Sequence, residues 1–143
     1  MSKHDDGLAM LARFMTAMEQ PLSQGWDDRS GAELGMKLIA EEACELEQAF
    51  RGLWGVSPLP AAEGRANFVK ELADLIYVCY WLAARLGSDI NEALRLVHES
   101  NMSKLDPETG KPLKRADGKV LKGPAYHAPD LGHVVRSVPV TLN

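Results

Sequence analysis

Apolar residues recur with the period of an α-helix in four separate stretches of this 143-residue chain. Turn-forming residues separate the stretches: Pro21 follows the first, Gly55 and Pro58 follow the second, and Gly87 follows the third. No segment before residue 105 alternates between apolar and polar positions as a half-buried strand does. The pattern therefore predicts an all-α fold, a four-helix bundle. The predicted helices cover residues 6–19, 31 or 32 to 54, 63–86 and 89–104.

One apolar stripe marks the expected inner side of the first, second and fourth predicted helices. Ser88 is the expected N-cap of the fourth helix. The two cysteines, Cys44 and Cys79, fall inside helices with no Cys-x-x-Cys pair, so we interpret both as small buried hydrophobes. The stripes are Leu8, Leu11, Met15 and Met18; Ile39, Leu46, Phe50 and Leu53; and Ile90, Leu94 and Val97.

The third predicted helix is apolar on nearly every side from Leu72 onward. A helix of this kind is buried on most of its sides, either at the centre of a bundle or at a subunit interface. In so short a chain this favours self-association, and we expect a homodimer or a homotetramer.

Past residue 104 the helical pattern gives way to a basic loop. Six of the sixteen lysines and arginines fall between residues 104 and 122, among glycines and prolines that favour turns. We expect a single domain over 1–143, with a helical core at 6–104 and a basic loop and tail at 105–143. The last stretch, 132–143, is expected to be a short strand or a disordered end.

Composition narrows the class of protein. The apolar fraction is 45% and the charged fraction 25%, as in ordinary globular domains. A net charge of −4 gives no reason to expect nucleic acid or an anionic membrane as a partner. No apolar run approaches the roughly 18–20 residues of a membrane span. The N-terminus lacks the apolar stretch of a signal peptide, so a cytoplasmic protein is expected.

Four carboxylates lie on helix faces that should be apolar. Glu42 and Glu45 are spaced i, i+3 in the second helix, and Glu71 and Asp74 are spaced likewise in the third, so each pair shares a face. With Ile39 set at zero on a helical wheel, Glu42 falls at about 300° and Glu45 at about 240°, between apolar side chains. Several buried carboxylates need a cation to offset their repulsion.

The pattern therefore predicts a metal site, and with it a phosphate-handling enzyme. Oxygen ligands favour a hard divalent cation, so we expect Mg²⁺, with Mn²⁺ as the alternative. A di-iron bundle would need Glu-x-x-His motifs on two helices, and the chain has none. The competing interpretation is that these acids are simply solvated, as most helical carboxylates are.

Polar residues at the end of the fourth helix suit a phosphate. Asn101 and Lys104 fall on the same side of that helix as its apolar stripe, from which they can reach an anion. The alternatives are a helix-end cap for Asn101 and a snorkelling surface position for Lys104. In the basic loop, Arg115, Lys119 and Lys122 are candidates to close over phosphates. No Walker-type motif is present.

As a set, these residues resemble the all-α nucleoside triphosphate pyrophosphohydrolase superfamily, which includes MazG-like proteins, dimeric dUTPases and phosphoribosyl-ATP pyrophosphohydrolases. The family signature is Glu-Glu-x-x-Glu, a spacer and then Glu-x-x-Asp. It corresponds here to 41–45 and 71–74, and the resemblance spans about half of the chain.

The resemblance implies Mg²⁺ ligation by the four paired carboxylates, with Glu41 placing or activating the attacking water. It also implies phosphate contacts from Asn101 and Lys104, Lys104 acting in catalysis as well, and from Lys119 and Lys122 in the tail. Gln20 and Trp26 are guesses for the base pocket. The implied activity releases a nucleoside monophosphate and pyrophosphate from a (d)NTP such as dUTP. The alternatives are phosphoribosyl-ATP hydrolysis and a non-catalytic nucleotide-binding regulator.

Overall fold

The computed structural model of the chain describes residues 6–55 and 60–135. Within these ranges the chain is helical, with a single antiparallel bridge between Lys114 and Val120 and no strand. The all-α prediction with four helices is confirmed. The helices are α1 (Gly7–Ala17), α2 (Arg29–Arg51), α3 (Ala62–Leu86) and α4 (Ile90–Met102).

Aspartates begin three of the helices. The side chains of Asp6, Asp28 and Asp89 each accept a hydrogen bond from a backbone N–H in the first turn of α1, α2 and α4. The prediction of Ser88 as the cap of α4 is therefore wrong. The carboxylate of the adjacent Asp89 accepts the hydrogen bond from the Glu92 N–H, and its negative charge also complements the helix dipole. Gly87 ends α3 at φ 76°, a left-handed conformation that glycine adopts without strain.

The described residues divide into two compact units, one ending at Ser88 and the other beginning at Asp89. The first contains α1, α2 and α3, and the second contains α4 and the basic loop. In the second unit the Ser100 hydroxyl donates to the His127 carbonyl, so the chain after the loop is held against α4. The expectation of one domain over 1–143 stays a prediction.

The core of the first unit lies between α1 and α3. Leu11, Met15, Trp81 and Ala84 are its buried centre. The helix α2 also packs along α3, and a glycine permits this close approach: a Cβ at Gly35 would lie 2.5 Å from the Leu82 side chain. This packing places one face of α2 against α3 and so positions the acids that the two helices carry.

Burial departs from the sequence expectation on α3. From Leu72 onward most positions of the helix are buried or partly buried, but Leu72 and Ile76 are 39% and 51% exposed, so one side that was expected to be buried is open within this chain. The reason is that α1 and α2 cover only part of the helix. The expectations of a subunit interface and of a homodimer or homotetramer stay predictions.

Four further burial predictions are wrong. Cys44 and Cys79 are both exposed. Leu94 and Val97 of the predicted inner stripe of α4 are 51% and 38% exposed. Met18 at the end of the α1 stripe and Phe50 of the α2 stripe are exposed as well.

Residues 105–131 form turns and loops with the one bridge between Lys114 and Val120, as the prediction of a loop requires. Residues 132–135 form a turn in which Val134 is 5% exposed, so the prediction of a short strand or a disordered end is wrong for these four residues. The rest of the predicted final stretch lies outside the described residues. In the described part of the chain, no helix has the length and hydropathy needed to cross a membrane.

Candidate metal centre

The packing of α2 against α3 brings three acids together. Glu42 and Glu45 from α2 and Glu71 from α3 each offer one carboxylate oxygen, and these oxygens lie within 4.8 Å of one another. We call these three residues the carboxylate cluster. Glu71 is only 8% exposed, whereas Glu45 is open to solvent. The cluster is therefore rooted in the first unit but open on one side, as a site that binds a ligand from solution must be.

Glu42 has the least favourable environment of the three. Its Oε2 atom is buried and has no hydrogen-bond partner. Burial raises the pKa of Glu42, and the nearby charges of Glu45, Asp74 and Glu71 raise it further. An ionised oxygen in this position gains from a cation that binds it directly.

Asp74, the fourth predicted ligand, lies close to the carboxylate cluster but carries an ion pair of its own. Lys70, one turn earlier on α3, places its Nζ 2.8 Å from Asp74 Oδ2 and 3.2 Å from Glu71 Oε1. The hydrogen bonds to Asp74 and Glu71 raise the pKa of Lys70 above its usual range. Lys70 is not among the site residues predicted from the sequence, although its spacing of i, i+4 to Asp74 is the spacing of a helical ion pair.

Glu41 lies outside the carboxylate cluster. Its carboxylate is half-exposed, and its nearest described cation is Lys37, whose Nζ is 4.0 Å from Glu41 Oε1. The proposed role of Glu41 with a water molecule stays a prediction, and an exposed carboxylate next to Glu42 in sequence is compatible with it.

An open pocket of about 430 Å³ adjoins the carboxylate cluster. Glu45 and Glu71 form part of its wall, so a molecule in the pocket would contact two of the acids. The amides of Gln48 and Asn67 offer further hydrogen-bonding groups. The other lining residues are Ala49, Gly52 and Gly64.

The predicted phosphate-binding residues all lie in the second unit. Lys104 Nζ donates to Asn101 Oδ1 at 2.8 Å, so the structure does bring these two residues together. Arg115 forms an ion pair with Asp117, and Lys122 lies 4.6 Å from the centre of the Tyr126 ring.

Lys119 completes this set through its backbone. Its N–H donates to Asp117 Oδ1, and its carbonyl accepts from the Arg115 N–H, which closes a tight turn. The charged ends of these loop residues lie on an exposed segment. Their role toward phosphates stays a prediction.

Gln20, one of the two guesses for the base pocket, has a structural partner in the first unit. Its Oε1 accepts from the Trp81 indole N–H at 2.8 Å. Trp81 is 5% exposed, so this bond satisfies a donor that has lost its contact with water. Trp26, the other guess, is 59% exposed.

The residues present fit a hard divalent cation. The donors are carboxylate oxygens, the ligands that Mg²⁺ and Mn²⁺ prefer. Their convergence from two helices and the unpartnered Glu42 oxygen are both accounted for by a bound cation. The residues therefore define a candidate metal centre on an all-α scaffold.

Comparison with known families identifies the class of protein to which this scaffold belongs, the pyrophosphohydrolases, enzymes that hydrolyse phosphoanhydride bonds. The family described as phosphoribosyl-ATP pyrophosphohydrolase matches residues 10–101, more than half of the chain. The chain belongs to this family, which is part of the superfamily that the sequence motifs resemble. The family is typically metal-dependent.

Some of the candidate site residues lie inside the segment that matches the family and others lie outside it. The segment includes all four paired carboxylates and reaches Asn101, but it ends before Lys104 and the basic loop. A comparison with curated proteins gave no match.

Proposed function

We propose that the protein is a metal-dependent pyrophosphohydrolase that cleaves the bond between the α and β phosphates of a nucleoside triphosphate, releasing a nucleoside monophosphate and pyrophosphate. The observation that carries the proposal is the carboxylate cluster in a chain of the phosphoribosyl-ATP pyrophosphohydrolase family, with one of its oxygens buried and unpartnered.

Four carboxylates would hold the cation: Glu42, Glu45, Glu71 and Asp74. Mg²⁺ is the expected ion, with Mn²⁺ as the alternative, because all of the donors are hard oxygens. A bound ion supplies neutralisation of phosphate charge. The protein would hold the ligand oxygens in position around the ion, because the packing of α2 against α3 brings them together.

The reaction needs a base and cations besides the metal ligands. A water oxygen bonds to the α phosphorus, the bond to the bridging oxygen breaks, and pyrophosphate leaves with the electron pair. Glu41, as a carboxylate on the same helix as Glu42, is the proposed acceptor of the proton from water. Lys104 is proposed to stabilise the charge that develops on the leaving pyrophosphate.

The remaining polar residues of the second unit are proposed to bind the phosphates. Asn101 offers an amide beside Lys104, and Arg115, Lys119 and Lys122 offer positive charge on an exposed loop. Charge-assisted hydrogen bonds from such groups are stronger than neutral ones and suit a polyphosphate.

For the substrate, we propose a non-standard or deoxynucleoside triphosphate, of which dUTP is an example. Phosphoribosyl-ATP is the second candidate, which is supported by the match to the family described as phosphoribosyl-ATP pyrophosphohydrolase. Both substrates contain the same anhydride bond, so the proposed chemistry is common to the two. A nucleotide-binding regulator would use the same residues without turnover.

The test is a screen for pyrophosphate release with Mg²⁺ across the common NTPs and dNTPs, dUTP and phosphoribosyl-ATP. We expect turnover of at least one substrate. Glu45→Gln and Asp74→Asn should each lower the rate by about 100-fold or more. Replacing residues that only hydrogen-bond to the ligands of a metal already lowers activity by about 10–100-fold, and these two residues are proposed to be ligands themselves.

Glu47→Gln is the matched control, because Glu47 is an exposed glutamate of α2 that pairs with Arg51 away from the carboxylate cluster. It should retain activity. If the wild type releases no pyrophosphate from any of these substrates, or if the ligand variants remain as active as this control, the proposed function is wrong.

A further inference from the structure

Lys70 makes the contacts with Glu71 and Asp74 that a bound cation would make. Its Nζ lies 2.8 Å from Asp74 Oδ2, and 3.2 and 3.4 Å from the two oxygens of Glu71. Both partners are proposed metal ligands on α3. One ammonium group thus bridges the two acids that this helix contributes.

The exposures of the three side chains show where this bridge lies. The Glu71 side chain is 11% exposed and that of Asp74 is 40% exposed, whereas the Lys70 side chain is 62% exposed. Lys70 therefore reaches the acids from the solvent side, and its stem is not fixed by burial. An ammonium group held in this way is able to leave without disturbing the core of the first unit.

The charges give the bridge a consequence for metal binding. The four proposed ligands bring four negative charges into one small region: Glu42, Glu45, Glu71 and Asp74. Lys70 is the cation that forms ion pairs with two of them, Glu71 and Asp74. A divalent ion that uses the Glu71 and Asp74 oxygens competes for the lone pairs that now accept from Lys70 Nζ. If the ammonium stays nearby, it also repels the incoming ion.

From this geometry we propose that Lys70 is a positioning residue: it acts as an internal counter-ion that holds Glu71 and Asp74 together in the metal-free protein and is displaced when the metal binds. The inference rests on the proposed metal site. It implies that Lys70 stabilises the metal-free state and weakens the intrinsic affinity of the site for the metal.

The experiment compares metal binding by the full 143-residue chain in four forms: wild type, Lys70→Gln, Lys70→Arg and Lys37→Gln. Mn²⁺ is titrated into metal-free protein, with free Mn²⁺ followed by electron paramagnetic resonance. Lys70→Gln should bind Mn²⁺ about fivefold more tightly or better, because exposed ion pairs are of modest strength but two of them are removed.

Lys70→Arg keeps the charge and should bind Mn²⁺ much as the wild type does. Lys37→Gln is the matched control, since Lys37 also forms an i, i+4 pair with a glutamate but contacts none of the proposed ligands. Its affinity should stay within about twofold of wild type, because a more distant exposed charge is largely screened.

Thermal unfolding supplies a second measurement that does not depend on activity. Without metal, Lys70→Gln should unfold at a lower temperature than the wild type, because Glu71 and Asp74 then lose the ammonium group that pairs with them. With excess Mg²⁺ this difference should disappear or reverse, since the ion takes over the role of the ammonium.

The outcomes separate this inference from the proposed function. If the wild type binds Mn²⁺ and Lys70→Gln binds it no more tightly, the role of Lys70 is refuted while the metal site stands. An equal loss of thermal stability with and without Mg²⁺ would make Lys70 an ordinary surface ion pair and would also refute it. Absence of Mn²⁺ binding by the wild type would overturn the metal site and this inference together.

Discussion

Replacing Glu42 by glutamine removes one negative charge from the carboxylate cluster and keeps the shape of the side chain. In the metal-free protein this charge is a liability, since Glu42 Oε2 is buried and unpartnered and two other carboxylates are close. We therefore expect Glu42→Gln to be more stable than the wild type without metal, although the glutamate is needed for metal binding.

The magnitude follows from the separation of the charges. At 4.8 Å, two unit charges repel by about 1 kcal/mol in water and about 3.5 kcal/mol at an effective dielectric constant of about 20. Glu42 has two neighbours at or within this distance, and Lys70 offsets part of their charge. A net gain of about 1–2 kcal/mol is expected, which corresponds to a rise in Tm of about 3–8 °C for a chain of this size.

The gain should depend on pH. Because the pKa of folded Glu42 is raised above its unfolded value, the folded state binds the proton more tightly. Below the unfolded pKa, near 4.5, Glu42 is protonated and its buried carboxyl does not destabilise the wild type. The wild type loses stability as the pH rises through the folded pKa, because the carboxylate is then ionised. The stability difference between Glu42→Gln and wild type should be largest at neutral pH and should narrow on acidification.

The assay is differential scanning calorimetry in EDTA and then in excess Mg²⁺, over a series of pH values. Mg²⁺ should raise the Tm of the wild type and have little effect on Glu42→Gln. Glu47→Gln serves as the control, because it loses the same charge from the exposed side of α2. A Glu42→Gln protein that is less stable than wild type in EDTA at neutral pH, or a difference that does not change with pH, would refute the electrostatic reasoning.

Three other predictions concern the scaffold of the first unit. Leu11→Ala should lower the free energy of unfolding by about 2–5 kcal/mol in a urea titration, because Leu11 is 1% exposed and its removal leaves a cavity. Gln20→Ala should cost about 1–3 kcal/mol by the same measurement, because the buried Trp81 N–H loses its acceptor, while the KM for substrate stays unchanged. Asp28→Ala should lower the Tm by about 5 °C at neutral pH, since it removes both the cap of α2 and the partner of Arg85.

Each of these predictions has its own control. Met18→Ala changes an exposed position of the same apolar stripe and should be nearly neutral beside Leu11→Ala. For Gln20→Ala, a raised KM with unchanged stability would instead support a role in the base pocket. Arg85 lowers the pKa of Asp28, so its stabilising effect is present at neutral pH and should be lost as the pH falls through that lowered pKa; a pH-independent deficit would contradict the ion pair.

Much of the fold could be read from local patterns. The ends of α3 were predicted to within one residue, because the helix has a strong periodic signal and is followed by Gly87. The start of α2 was placed two or three residues late, because the capping role of Asp28 was not recognised in the Asp27-Asp28 pair. Capping depends on which carboxylate the backbone turns toward the helix, and the residue types alone do not decide it.

The candidate site was partly predictable for a similar reason. The i, i+3 spacing of two acids on one helix fixes that they share a face, so the pairs were visible before any packing was known. The i, i+4 spacing of Lys70 and Asp74 is likewise a local signal of an ion pair. That Glu42 and Glu45 of α2 meet Glu71 of α3 follows instead from how α2 lies along α3 and from the rotamers of long side chains. No linear pattern carries that information.

By itself, the sequence determined the helical class, the faces that carry the acids and the family to which the chain belongs. These depend on local periodicity and on motifs within single helices. Only the tertiary structure decided that one side of α3 and both cysteines stay exposed, that Gln20 accepts a hydrogen bond from the Trp81 indole, and that Glu71 of α3 meets Glu42 and Glu45 of α2. Those outcomes depend on distances between residues far apart in the chain or on the positions of side-chain ends, and both are set only when the helices pack.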